Sequence, residues 1–395
     1  MEYNIGLFNE SFPPTIDGVA NTIKNYADII TKNHGKCTVV TPYYPNVVDD
    51  YEYDVVRYSS ITVSKQLEYR VANPVPVRTL TTLLNKDFDL LHVHSPFVSS
   101  LVAAELVKLK PAPIVFTYHT KFDVELEKRF KSKSFKHISK NFIKNNINTA
   151  DEVWVVSTGA KESLRKIGYK GKCRVIRNGV DFEKGKASAQ AVENLKKKLG
   201  IEKDELVFLY VGRMMWYKNI KLTMDALRLL PTDQKYKMVF VGDGNDLNSM
   251  KDYAKRIGID KKCVFVGPVR EREELRVHYS LGDLFLFPST YDTSGLVVME
   301  AAATALPSIV IDSSCAAEIV TDMRNGFLCD ENEVSLKDAI VRATSDRERL
   351  AKIGENAQNE VYFSWDDAVE LAYSRYEEII KEFHTKRKIK KKFHI

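Results

Sequence analysis

Two carboxylates, Asp292 and Glu300, bracket a polar turn in which Thr293, Ser294 and Gly295 lead into the apolar run Leu296–Ala303. Before the turn, Leu284–Phe287 is the kind of continuous apolar tetrad that forms a buried parallel strand, and the run after it reads as a helix. A strand-to-helix turn leaves backbone N–H groups unpaired at the positive end of a helix dipole, which suits a phosphate. Carboxylates beside a phosphate need a ligand of their own, and sugar hydroxyls would supply one. The competing reading is an ordinary crossover with a surface aspartate. Two cations, Arg213 and Lys218, lie in the loop Gly212–Asn219 that follows the apolar run Leu206–Val211. A planar guanidinium and a point charge at that spacing can hold a diphosphate, or they can be two solvated surface residues.

Other polar residues stand at strand ends. His94 and His119 close the apolar runs around Leu90–Val93 and Ile114–Tyr118. Each is a candidate for a ligand cleft or for a structural hydrogen bond. The early turn Asp17-Gly18-Val19 carries a glycine where a backbone can approach a ligand closely, although the three-glycine dinucleotide fingerprint is missing. Asp87-Phe88-Asp89 resembles a metal-binding pair but precedes its strand, at the end of the sheet away from any cleft.

Stepping from strand to helix to strand, the chain alternates in a way that predicts doubly wound α/β architecture, in which ligands sit beyond the carboxyl ends of the strands. The pattern runs through Asn4–Phe8, Cys37–Pro42, Val55–Tyr58, Asp89–Pro96, Ile114–Thr120 and Asp151–Ser157, then restarts at Leu206. The small, polar stretch Lys184–Gln190 is the expected linker. Residues 1–184 form the expected first domain and 185–362 the second. A long amphipathic helix with a basic tail over 363–395 is expected to cross back to the first.

At 395 residues, with 44% hydrophobic and 28% charged residues, the chain is expected to be soluble, globular and made of two domains. No apolar run approaches the length of a membrane-spanning helix, and the N-terminus has no leader pattern. Five scattered cysteines form neither a zinc pattern nor a disulfide framework, which fits a reducing cytoplasm. Six cations between Lys386 and Lys392 account for the whole formal net charge of +6. A second basic segment, Lys128–Lys144, interleaves lysines with Phe135, Ile138, Phe142 and Ile143 at helical spacing, which predicts one basic amphipathic helix. Both segments are candidate contacts with an anionic membrane surface; the alternatives are a core helix with solvated lysines and a frayed tail.

Taken together, Asp292-x7-Glu300, Gly212-Arg213 with Lys218-Asn219, Asp17-Gly18-Val19, Thr117-Tyr118-His119-Thr120 and Asn178-Gly179-Val180-Asp181 resemble retaining glycosyltransferase family 4, of GT-B fold. The motifs fall in the family's order through nearly the whole chain. Phe12–Val19 and Tyr118–Thr120 look most like the bacterial diacylglycerol glucosyltransferases and phosphatidylinositol mannosyltransferases. The resemblance implies two Rossmann-like domains facing across a cleft, with a nucleotide-sugar as donor and a lipid or carbohydrate as acceptor. It implies that Arg213 and Lys218 hold the donor diphosphate, and that Gly18 lets its turn approach the phosphates. By the same resemblance, Glu300 binds the ribose, Asp292 the sugar hydroxyls, and Ser294, Gly295 and Leu296 offer backbone N–H groups. His119 would touch the transferred sugar, and Gly267 to Val269 would hold the base. The family usually has glutamate where this chain has Asp292 and phenylalanine where it has Ser294, so the first carboxylate is one methylene shorter.

No metal-ligand cluster and no covalent nucleophile stand out, so neither metal nor cofactor is expected, and fixed cations would stabilise the leaving nucleotide. The expected protein is a cytoplasmic hexosyltransferase at the inner face of the plasma membrane, moving glucose from UDP-glucose to a lipid such as diacylglycerol. UDP against GDP, and glucose against mannose or galactose, stay open. So do a polysaccharide or small-molecule acceptor, a sugar-nucleotide epimerase and a non-catalytic binding protein. No nucleic-acid partner is expected.

Overall fold

The computed structural model describes residues 2–15, 17–62, 70–72 and 77–393. They form two compact units, residues 1–178 with 365–395, and residues 179–364.

The first unit is built on strands β1 (Asn4–Phe8), β2 (Lys36–Pro42), β3 (Asp54–Tyr58), β6 (Leu90–Val93), β7 (Ile114–Tyr118), β8 (Glu152–Val155) and β9 (Arg174–Val175). They make one parallel sheet in the order β3-β2-β1-β6-β7-β8-β9, and a small antiparallel pair, β4 (Ser60–Thr62) and β5 (Arg70–Ala72), stands apart. Helices cover both faces, which is why Ile5, Leu7, Phe8, Leu90, Leu91 and Val115 can all be buried without an alternating polar face. These helices are α1 (Gly18–Asn33), α2 (Val77–Leu84), α3 (Val98–Leu109), α4 (Phe122–Arg129), α5 (Lys133–Ile147) and α6 (Thr158–Lys166). Asp17 starts α1 by accepting from the backbone N–H groups of Val19 and Ala20 at 2.8 and 2.7 Å. The chain order reverses between β1 and β6, paired Ile5 to Leu90 and Phe8 to Val93. That reversal is where a doubly wound sheet opens a crevice at its carboxyl edge.

The C-terminal helix, Trp365–Phe393, belongs to this unit. It buries Trp365, Ala368, Val369, Ala372, Tyr376, Ile379 and Ile380 at helical spacing, while Phe383 stays half-buried. Arg375 forks onto Glu152 of β8 (2.5 Å), and the Tyr376 ring stacks on Trp154 at 5.4 Å.

The second unit repeats the plan with β10 (Leu206–Val211), β11 (Tyr236–Val241), β12 (Cys263–Gly267), β13 (Leu284–Phe287), β14 (Ser308–Ile311) and β15 (Phe327–Cys329). Its parallel order is β12-β11-β10-β13-β14-β15, so the switch falls between β10 and β13. The flanking helices are α7 (Ala189–Lys198), α8 (Ile220–Arg228), α9 (Leu247–Arg256), α10 (Arg272–Leu281), α11 (Leu296–Ala303), α12 (Glu333–Thr344) and α13 (Arg347–Glu360). All six residues of β10 are buried, and truncating one of its large side chains, such as Phe208, would cost about 3–5 kcal/mol.

Two expectations change. The stretch read as a linker, Lys184–Gln190, is held within the second unit: Gly185 N–H donates to Ala303 O and Ala187 N–H to Ser280 Oγ, each at 2.8 Å. The junction between the units falls earlier, after Asn178. The segment Lys128–Lys144 is not one helix but the end of α4 and most of α5, because Ser132 caps a new start by accepting from Phe135 N–H. Its apolar residues divide between two faces, with Ile143 and Ile147 buried and Phe135, Ile138 and Phe142 exposed.

Candidate active site

In the second unit the loops after β10 and β13 flank the switch point, and they carry the cations and carboxylates singled out in the sequence. The β10 loop is braced by the β11 loop pressed against it. Met214 N–H donates to Asp243 O at 2.9 Å, and Trp216 N–H donates to Asp246 Oδ2 at 2.9 Å. A side chain on Gly242, which lies at φ +135°, would meet Gly212 O at 2.0 Å, so only glycine permits this approach. Asn219 then ties the β10 loop across the switch by donating from Nδ2 to Pro288 O at 3.2 Å.

On this frame Lys218 Nζ reaches Asp292 Oδ1 at 2.6 Å, and lies 5.6 and 5.4 Å from the ring centres of Tyr217 and Tyr291. Lys218 and Asp292 are thus brought together as a largely buried ion pair, the shorter carboxylate reaching the lysine. Asp292 Oδ2 is buried and has no hydrogen-bond partner. Arg213, by contrast, is exposed and makes no ion pair among the described residues. It is the uncommitted cation of the loop. Gly295 occupies the left-handed region at φ 60°, and a side chain there would crowd Ala316 at 3.0 Å. It starts α11 with no side-chain cap, so the helix end at Ser294, Gly295 and Leu296 keeps its electrostatic pull on an anion.

One turn into α11, Glu300 is held by two residues that the sequence reading did not assign. Tyr279 OH donates to Oε2 at 2.7 Å and Arg272 Nη2 to Oε1 at 3.0 Å. Arg272 also pairs with Asp181, and its guanidinium lies 4.0 Å from the centre of the Phe182 ring. Burial pushes the Glu300 carboxyl up, opposed by Arg272 and the Tyr279 hydroxyl. Arg272 and Tyr279 stand two turns apart on α10, so their spacing was a usable signal. Gly267, at φ +91°, accepts from Gly242 N–H at 2.8 Å, and Val269 packs at the margin of the core. Neither contacts the charged residues directly in the bonds just described.

In the first unit the carboxyl ends of β6 and β7 carry imidazoles. His94 Nδ1 and His119 Nε2 share a hydrogen bond of 2.9 Å with their rings nearly parallel. His92 is wedged between Tyr376 OH and Thr117 Oγ1, 2.6 Å from the latter, and lies against His94 with 3.8 Å between ring centres. Burial holds all three neutral, with His119 lowered to about 3 and His92 and His94 well below the ordinary range. Glu10, in the loop after β1, accepts from Ser99 N–H at 2.6 Å and its carboxyl is raised by burial. It too was missed, since nothing in its sequence neighbourhood marks it as buried. Gly18 makes no close approach within the protein: a side chain there would meet nothing within 4 Å. Asp87 and Asp89 lie at the opposite edge, pairing with Lys110 and with Asn4 N–H. Among the described residues no group of three or more His, Cys, Asp or Glu could hold a metal ion, and no helix is long and apolar enough to cross a membrane.

Two parallel Rossmann-like sheets, one of them carrying Arg213 and Lys218 on the loop after β10 and an uncapped helix end after β13, are the features of a GT-B glycosyltransferase, and comparison with known proteins agrees. Residues 16–184 match the family model Glycosyltransferase Family 4, and residues 191–360 match Glycosyl transferases group 1. The chain belongs to this group of hexosyltransferases, which use a sugar-nucleotide donor. It is 25% identical to the alpha-monoglucosyldiacylglycerol synthase of Acholeplasma laidlawii over 90% of this chain and 91% of the relative. To the enzyme of the same name from Streptococcus pneumoniae it is 25% identical, over 82% of this chain and 74% of the relative. The fold matches Anabaena HepE in complex with UDP, with a TM-score of 0.76, 19% identity, and coverage of 96% of this chain and 100% of that one.

Proposed function

We propose that this glycosyltransferase moves glucose from UDP-glucose, with retention of configuration, to the hydroxyl of a membrane lipid such as diacylglycerol. The observation that carries the donor side is the uncapped α11 terminus in the same unit as the unpaired Arg213 and the tethered Lys218. A helix end and two cations stabilise the negative charge that builds on a departing diphosphate, in the place a metal would otherwise take. Glu300, held by Tyr279 and Arg272, accepts from ribose hydroxyls, and Asp292 offers its unpartnered Oδ2 to a sugar hydroxyl. Gly267 to Val269 holds the base. Gly18 leaves open space for a phosphate. In the reaction the anomeric carbon–phosphate oxygen bond breaks and a bond to the acceptor oxygen forms on the same face. The acceptor proton passes to the leaving diphosphate.

The lipid acceptor is supported by two relatives named alpha-monoglucosyldiacylglycerol synthase and by a feature of the first unit. Phe135, Ile138 and Phe142 are 50%, 63% and 44% exposed and fall on one face of α5, flanked by exposed Lys131 and Lys133. Aromatic and aliphatic groups beside lysines suit the headgroup region of an anionic bilayer, and the exposed Lys386, Arg387 and Lys388 on the C-terminal helix are three further cations available to it. The enzyme then works on the cytoplasmic face of the membrane. Flotation with phosphatidylglycerol liposomes tests this: the wild type is expected to float and a Phe135→Ser/Ile138→Ser/Phe142→Ser variant to stay behind. Equal behaviour would remove the membrane from the proposal. Thermal-shift titration with UDP, GDP and their sugars tests the donor, since a ligand specific to the native state raises its stability. UDP and UDP-glucose are expected to give the largest shift, and a larger shift with GDP-mannose would reassign the donor.

A further inference from the structure

We propose that His94 is a positioning residue that fixes the tautomer of His119, so that His119 presents an N–H donor to the sugar and cannot serve as a general base. The role of His119 toward the sugar rests on the functional reading above; the tautomer assignment does not.

Two buried rings share one hydrogen bond, and the donors and acceptors left over decide its direction. A neutral imidazole has one N–H and one bare nitrogen. The bond between His94 Nδ1 and His119 Nε2 can be made in two ways, and they leave different residues unsatisfied. In the first, His119 Nε2–H donates to His94 Nδ1, and the proton of His94 must then sit on Nε2. That atom is buried and has no partner, so a stranded N–H would result. In the second, His94 Nδ1–H donates to His119 Nε2, and only a bare lone pair is left on His94 Nε2. Stranded buried N–H groups are rarer than under-used acceptors, so the second arrangement is favoured. It puts the proton of His119 on Nδ1.

The surroundings lock this choice. His94 lies against the His92 ring on one side, has the edge of Tyr26 at 5.8 Å between centres, and donates its backbone N–H to Phe8 O at 2.9 Å. His92 is itself pinned by Thr117 and by Tyr376 of the C-terminal helix. Among the described residues the rings set against His94, besides His119, are His92 and Tyr26, and neither supplies a carboxylate that would draw a proton onto the pair. Burial keeps the three rings uncharged. A neutral imidazole whose N–H is pre-aimed costs no proton transfer when it meets a sugar oxygen, the electrostatic use of histidine rather than the basic one. With its Nε2 lone pair occupied by His94, His119 has no free base to offer at that atom.

The test uses the full chain labelled with ¹⁵N-histidine and long-range ¹H–¹⁵N correlation at neutral pH. The signals are assigned by the single variants His92→Gln, His94→Asn and His119→Gln. Both His94 and His119 are expected to carry the proton on Nδ1. A proton on Nε2 of His119 overturns the proposal regardless of any activity. Kinetics supply the second arm. His94→Ala is expected to lose on the order of 100-fold in kcat with donor KM little changed. His94→Asn, whose amide N–H replaces Nδ1–H, is expected to recover most of that loss. His94→Asp, which offers an acceptor instead, is expected not to recover it and to move the His119 proton to Nε2. If His94→Asp matches His94→Asn, the hydrogen-bond direction is immaterial and the proposal fails. Should His119→Ala prove fully active while the tautomers are as assigned, the sugar-contact reading falls and the assignment stands.

Discussion

The first unit ends its strands in imidazoles and the second ends its strands in charges. Both are parallel sheets with the chain order reversing at the centre, β1 against β6 in one and β10 against β13 in the other. At the first edge His92, His94, His119 and Thr117 are buried and uncharged. At the second stand an exposed Arg213, the ion pair of Lys218 with Asp292 and, separately, that of Arg272 with Glu300. The difference follows the chemistry each edge can serve. A departing diphosphate is stabilised by cations and a helix dipole, and salt-bridge partners can be exchanged for it. Neutral donors suit hydroxyl groups, because they can be desolvated without the penalty a buried charge carries.

This contrast can be broken from either side. The largest expected effect is acid destabilisation of the first unit. Three imidazoles with depressed folded-state pKa values stay neutral while the unfolded chain takes up protons below its ordinary value near 6.5. The unfolded state then binds more protons, so stability falls as pH falls, by up to about 1.4 kcal/mol per pH unit for each histidine. Thermal melts between pH 7 and 5, with proteolytic fragments mapped by mass spectrometry, should show the first unit opening before the second. Next comes Arg213→Ala, which removes an exposed cation without touching the core. It should cost about 2–4 kcal/mol of transition-state stabilisation, read as kcat, with an unchanged melting temperature. Near-normal turnover would take Arg213 out of the mechanism.

Tyr279→Phe is a smaller probe. It deletes the hydroxyl that holds Glu300 and should cost about 1.5–3 kcal/mol in stability, the value of a hydrogen bond to a charged group, with a raised donor KM. The smallest expected effect is none: if cations take the place of a metal, chelation by EDTA leaves the initial rate unchanged. A loss of rate restored by a divalent ion would reverse that part of the account.

Much of this was legible in the chain. Continuous apolar runs such as Leu206–Val211 and Leu284–Phe287 could only be strands covered on both faces, and polar residues just beyond them had to fall at one edge. The x7 spacing placed Asp292 before and Glu300 within the same helix, as found. What could not be read was pairing across loops. That Asp292 reaches Lys218 rather than standing free depends on Asn219 tying two loops together. The roles of Arg272 and Glu10 depend on contacts far apart in sequence, with Glu300 and with Ser99. The single helix expected over Lys128–Lys144 was broken by a serine cap that hydrophobic spacing does not register. Tyr376 lies on the buried face that any amphipathic helix would have, yet its hydroxyl supports His92, a role that hydrophobic spacing does not register.

The most direct test of the central claim is to incubate the purified chain with radiolabelled UDP-glucose and diacylglycerol in anionic liposomes, then isolate the lipid product and determine its anomeric configuration by NMR. UDP release that depends on the lipid, together with an α-linked glucosyl lipid, is the expected result. A β-linked product, or donor turnover with no dependence on the acceptor, would contradict it.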